Sequence, residues 1–113
     1  MKKIEAIIRP EKLESVRKAL EENGCTGLMI SEVEGHGKQK GVVQQWRGEK
    51  YKIDLMPKTK IEVVVCDKDV EHITKVIIDS ARTGDVGDGK IFIYNIEMAI
   101  RIRTGEKGDK AIT

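Results

Sequence analysis

The chain contains an internal repeat. A 57-residue offset lays Ile61-Glu62-Val63-Val64-Val65 over Ile4-Glu5-Ala6-Ile7-Ile8, and matches Val70 with Leu13, Ile73 with Val16, Val76 with Ala19 and Ile77 with Leu20. Gly84 falls on Gly27. In each half a strand-like apolar run precedes a helical i, i+3, i+7 stripe, and a second strand-like run follows. Two β-α-β units in series predict a ferredoxin-like β-α-β-β-α-β sandwich of the α+β class, with both helices on one face of a four-stranded sheet. Residues 1–113 fit one such domain.

The expected elements follow from local signals. The first strand covers about Lys2 to Arg9, and Pro10 then suits the first turn of a helix, with Glu11 and Glu14 near its positive end. Leu13, Val16 and Leu20 form its core stripe, and Gly24 is a natural stop. The second strand is Leu28 to Glu34 and the third Lys58 to Cys66. Asp67 or Asp69 is expected to cap a second helix with the stripe Val70, Ile73 and Ile77, ending at Arg82. The fourth strand is expected from Lys90 to about Arg103, with a polar, mobile tail after Thr104 (the C-terminal loop spans about 102–113). Two helices cover one face only, yet Ile7 and Val64 are apolar on the other, which predicts a homo-oligomer.

The charge and apolar fractions, 35% and 39%, describe a soluble globular chain, and a net charge of +2 is too small to signal nucleic-acid binding by itself. No apolar run approaches the ~18 residues of a membrane span. The opening Met1-Lys2-Lys3-Ile4-Glu5 has no signal-peptide core, and Cys25 and Cys66 lack metal-ligand spacing, so a reducing cytoplasm is expected.

The chemistry is concentrated in the glycine turn, about 83–90. Gly84, Gly87 and Gly89 free the backbone for close approach to a ligand, and successive N–H groups in such a turn can hold an anion. Lys90 adds a positive charge as the next strand begins. If that strand reaches Arg103, then Arg101 and Arg103 share one face, their Cα atoms about 7 Å apart, within the span of a short polyphosphate.

A long connection, about 36–56, joins the middle strands where a short one would suffice. Between Gly37 and Lys58 its six cations (Lys38, Lys40, Arg47, Lys50, Lys52, Lys58) face only Glu49 and Asp54. Trp46 and Tyr51 lie away from any core stripe, beside Arg47, as in an interface hot spot.

These residues resemble the PII signal-transduction proteins of nitrogen regulation (the GlnB and GlnK group), most closely the GlnK kind, from Met1 to about Asp109. Thr83-x-x-x-Gly87-Asp88-Gly89-Lys90-Ile91-Phe92 fits that family's glycine-turn signature without departure. Gly35-x-Gly37-x-Gln39-Lys40-Gly41, Arg47-Gly48, Tyr51, Lys58 and Arg101-Ile102-Arg103 match further family positions.

The resemblance implies a non-enzymatic homotrimer that binds ATP or ADP in clefts between subunits. It assigns nucleotide contacts to Ile7, Met29, Gly35, Gly37, Lys38, Gln39, Val64, Gly87, Asp88, Gly89, Lys90, Arg101 and Arg103, the arginines coming from the neighbouring subunit. Gln39 would help ligate Mg²⁺ with ligand oxygens, hard donors suited to that ion. 2-Oxoglutarate would meet Gly37, Gln39, Lys40, Gly41 and Lys58, with Lys58 on a carboxylate. Arg47 and Trp46 would dock on an ammonium transporter, recruiting the cytoplasmic protein to the inner face of the membrane; nitrogen-assimilation enzymes are further expected partners. Tyr51 matches a position modified in some relatives, Glu49 removes a serine that others phosphorylate, and Met29 replaces a threonine common beside the adenine. The alternatives are a trimeric nucleotide sensor of related fold acting on a different partner, or a weak ATPase. An RNA-recognition module would need stacking aromatics on its central strands, and the third strand has none.

Overall fold

The computed structural model describes residues 1–35 and 56–113 in full, and the backbone of 42–46 and 49–53. Its elements run β1 (Lys2–Ile8), α1 (Leu13–Glu22), β2 (Met29–Gly35), β3 (Val42–Trp46), β4 (Glu49–Ile53), β5 (Met56–Val65), α2 (Val70–Ala81) and β6 (Lys90–Asn95). The repeat governs where the helices begin. A single 3-10 turn precedes each one, Pro10–Lys12 before α1 and Asp67–Asp69 before α2, at equivalent positions of the two halves.

β1 and β5, the duplicated strands, lie side by side and antiparallel, with Ile4 opposite Val63 and Ala6 opposite Ile61. β6 pairs with the free edge of β1 and β2 with that of β5, so the sheet order is β2-β5-β1-β6. Alternation along the central strands sends Ile4, Ala6, Ile8, Ile61, Val63 and Val65 toward the helices. There they pack against Val16 and Leu20 of α1 and against Ile73, Ile77 and Ala81 of α2. Both predicted helix stripes therefore face the core, with Leu13 and Val70 at its margin. The four-stranded antiparallel sheet under two helices is the expected ferredoxin-like arrangement.

Four details depart from the sequence reading. β6 stops at Asn95 rather than near Arg103, because its ladder partner runs out: Asn95 faces Lys2, and the Ile96 N–H reaches the Met1 carbonyl at 3.2 Å. Arg101 and Arg103 consequently do not share a strand face; both lie in a separate C-terminal turn. The tail beyond Thr104 is ordered, with Ile100 bridged to Lys107 and a 3-10 turn at Gly108–Ala111. Asp69 stands at the N-cap of α2 without a side-chain cap bond, since the preceding 3-10 turn has already fixed its backbone, and the Asp67 carboxylate accepts from the N-terminal ammonium at 2.8 Å. Finally, the long connection contains an antiparallel ribbon, β3 against β4, with Gln44 opposite Tyr51 and Trp46 opposite Glu49.

The turn before β6 constrains the sheet directly. Gly89 has φ +103°, and a Cβ built on it would lie 1.7 Å from the Ile7 carbonyl oxygen, in main chain that cannot move aside. Gly84, at φ +96°, has nothing within 4 Å of such a Cβ. Gly84→Ala is expected to cost about 1 kcal/mol from backbone conformation alone. Gly89→Ala adds a main-chain clash and is expected to cost on the order of 3 kcal/mol or more. Urea denaturation compares the two, and equal midpoints would contradict this account of Gly89.

Candidate functional site

The face of the sheet away from the helices is where the predicted site residues meet. Cross-strand register sets Lys90, Ile7, Lys60 and Ser31 in one row across β6, β1, β5 and β2, followed by Phe92, Glu5, Glu62 and Met29. Tyr94, Lys3 and Val64 form the third row. Ile7, Met29 and Val64 thus share one face with Lys90, and Met29 is 70% exposed. Ion pairs cross this surface from Lys3 to Glu62 at 3.4 Å and from Lys60 to Glu62 at 3.7 Å. The Tyr94 hydroxyl donates to Glu5 at 3.0 Å.

Beyond the Lys90 row lies the glycine turn, and Asp88 holds it in shape. Its carboxylate accepts from the backbone N–H of Thr83 at 2.9 Å, the N–H of Gly84 at 2.8 Å and the Thr83 hydroxyl. Arg9, just past the end of β1, donates to the same carboxylate at 3.0 Å and to the Val86 carbonyl at 2.9 Å. The Thr83 hydroxyl and the Gly84 N–H hold the Asp88 carboxyl well below the ordinary carboxylate range. Asp88 therefore organises the turn with an acid whose charge is already answered by Arg9. Sequence reasoning missed Arg9. The available signal was alternation, which places position 9 on the same face as Ile7.

Lys58 completes the cluster. Its ammonium donates to the Gly87 carbonyl at 2.8 Å, and its stem passes Gly35, where an added Cβ would sit 3.6 Å from Lys58 Cγ. Burial and the nearby Arg9 guanidinium push the Lys58 ammonium below its ordinary pKa. Arg9, Lys58 and Lys90 thus surround a glycine turn whose acid Asp88 is answered by Arg9. A strongly anionic group fits this chemistry. A crevice of about 320 Å³ between α2 and β6 is lined by Ile77, Ile78, Ile91 and Ile93 and reaches the glycine turn at Arg82, Asp88, Gly89 and Lys90.

The structure brings together Ile7, Gly35, Lys58, Gly87, Asp88, Gly89 and Lys90, with Met29 and Val64 farther along the same face. It does not bring Arg101 and Arg103 to them along β6. Gly37, Lys38, Gln39, Lys40, Gly41 and Arg47 lie outside the described residues, while Trp46 and Tyr51 are placed by backbone only, on β3 and β4. Among the described residues no group of three or more His, Cys, Asp or Glu could hold a metal ion, and no helix is long and apolar enough to cross a membrane.

Comparison with known proteins bears on this geometry. The family model described as nitrogen regulatory protein P-II matches residues 1–106. A "Nitrogen regulatory protein P-II 2" of Methanothermobacter thermautotrophicus is 57% identical over 99% of this chain and 97% of its own length. "Nitrogen regulatory protein P-II 1" of Escherichia coli is 53% identical and "Nitrogen regulatory protein P-II" of Pasteurella multocida 51%, each over 99% of this chain and all of its own length.

A carboxylate with a depressed pKa stabilises the fold above its unfolded value and loses that contribution only as pH falls through its folded value. The ordinary value for Asp88 is 3.8, and its folded value lies lower. The Thr83 and Gly84 amides are therefore expected to keep their hydrogen-exchange protection at pH 4, and Asp88→Ala to remove it throughout. Equal protection in both proteins would refute this role for Asp88.

Proposed function

The chain belongs to the nitrogen regulatory protein P-II family, and on that premise we propose that it is a non-enzymatic sensor that binds ATP or ADP. One observation supports this reading above the others. Arg9, Lys58 and Lys90 gather round a glycine turn braced from within by Asp88. Phosphates would lie against the backbone of Gly87 and Gly89 with Lys90 as counter-charge, and the base would lie along the Ile7, Met29 and Val64 face. Arg101 and Arg103 would come from the neighbouring protomer of a homotrimer. The Gln39 amide would contribute to a Mg²⁺ shell with ligand oxygens. Gly37, Lys40, Gly41 and Lys58 would receive 2-oxoglutarate.

Lys58 gives this site a physical link to the long connection. It lies near the start of β5, where that connection re-enters the sheet, and it bonds the glycine turn through Gly87. A 2-oxoglutarate carboxylate taking the Lys58 ammonium would compete with the Gly87 carbonyl. The root of the connection and the turn would then respond together. Bound ligands bias the loop only to the extent that they bind its two postures with different affinity. In the posture for docking, Arg47 and Trp46 would engage an ammonium transporter and bring a cytoplasmic protein to the membrane; Tyr51 is a candidate modification site.

Calorimetry of ATP and of ADP, each with and without 2-oxoglutarate and Mg²⁺, tests the reading, and an absence of binding under all conditions overturns it. Lys90 is exposed, so Lys90→Ala is expected to keep the fold and to weaken ATP binding roughly tenfold or more. Unchanged affinity would remove Lys90 from the site. Light scattering at micromolar concentration is expected to return three times the 12.7 kDa protomer mass, and a monodisperse monomer would contradict the trimer.

A further inference from the structure

Arg101 already holds an anion of its own chain. Its guanidinium donates to Glu106 Oε1 at 2.6 Å through Nη1, and through Nη2 to the main-chain oxygens of Lys110 and Thr113, each at 2.9 Å. The segment is built to present these acceptors. The Arg101 N–H reaches the Glu106 carbonyl at 2.9 Å, and the Gly108 N–H reaches the Ala99 carbonyl at 2.9 Å. The Thr104 hydroxyl steadies the Glu106 carboxylate at 2.9 Å. Gly105 and Gly108, at φ +73° and +78°, make the bends that fold the chain back. Arg103, two residues on, makes no hydrogen bond or ion pair among the described residues.

A carboxylate and two main-chain oxygens arranged around one guanidinium use the donor fork that a phosphate would use. We propose that Glu106, with the Lys110 and Thr113 main-chain oxygens, is an internal competitor of polyphosphate for Arg101, so that Arg101 binds either nucleotide or its own C-terminal segment. The inference rests on the nucleotide reading above and names a regulation of that same site. Two consequences follow. Closure of the clasp lowers nucleotide affinity by reducing the fraction of protein whose Arg101 is available. Nucleotide binding in turn undocks residues 105–113, and by linkage the two effects are equal in free energy. The chain thereby acquires a second nucleotide-dependent segment besides the long connection.

The competing account makes Arg101 a structural anchor that never meets nucleotide. Calorimetry of ATP with the wild-type protein, Glu106→Gln and Asp109→Asn separates the two. Asp109→Asn makes the same charge change in the same segment, and the Asp109 side chain does not touch Arg101. Glu106 is partly exposed, so Glu106→Gln is expected to keep the fold and to tighten ATP binding roughly two- to fivefold, with Asp109→Asn unchanged. ATP is also expected to quicken hydrogen exchange at the Gly105, Gly108 and Ile112 amides of the wild-type protein. If wild-type protein binds ATP but Glu106→Gln tightens it no more than Asp109→Asn does, or exchange does not quicken, the clasp is refuted and the nucleotide reading stands. If wild-type protein binds no nucleotide, the nucleotide reading fails and the clasp falls with it.

Discussion

The Asp88 carboxylate and its donors are the contact on which the arrangement depends. A turn rich in glycine costs more conformational entropy to order than most chain segments, so something must hold it in one form. Here the holding group is a single carboxylate that accepts from Thr83 and Gly84 inside the turn and from Arg9 at the end of β1. One acid thus closes the turn on itself and fastens it to the sheet. Arg9 spans both sides of that junction through its second bond, to the Val86 carbonyl. The Gly89 approach to Ile7 complements this fastening, since main chain meets main chain where any side chain would force them apart.

The same contact determines the sign of the surface. An acid beside an anion site would oppose binding, yet Asp88 belongs to the turn that the cations surround. Its charge is answered by Arg9 and by backbone dipoles, so the cations beside the turn are Lys58 and Lys90. Lys58 shows that these cations are crowded. Its ammonium is disfavoured first by burial and then by Arg9, and an arriving anion would offset the repulsion from Arg9 by supplying opposite charge.

How much of this could be read from the sequence depended on how local each signal was. The repeat and the helical stripes are written in neighbouring residues, and Ile4, Val16, Leu20, Ile61, Ile73 and Ile77 all reached the core. The glycine turn was legible because Gly87 and Gly89 sit together with Lys90. Arg9 was not, since its role depends on Asp88, far along the chain and adjacent only after β6 pairs with β1. The end of β6 was misread for a related reason. The apolar residues from Ile96 to Ile102 continue a strand-like composition, but a strand persists only where a partner offers hydrogen bonds, and β1 begins at Lys2. The ribbon of β3 and β4 lies inside a segment read as a loop from its glycines and dense cations.

The true end of β6 also bears on why one protomer would not suffice. From Lys90 to Asn95 the strand carries the chain roughly 16 Å away from the glycine turn, and Arg101 and Arg103 follow only after it has left the sheet. On one continuous strand the eleven steps from Lys90 to Arg101 would span about 36 Å, too far for a protomer's own arginines to meet its own turn. In the fold the arginines follow outside the sheet, and the face bearing Met29, Phe92 and Tyr94 remains exposed. In the proposed trimer both facts have one resolution: a neighbouring copy covers exposed sheet surface and supplies the arginines that a protomer's own turn lacks. A site divided in this way makes ligand occupancy depend on assembly, and it places Arg101 where its C-terminal segment can hold it until a neighbour's phosphate competes.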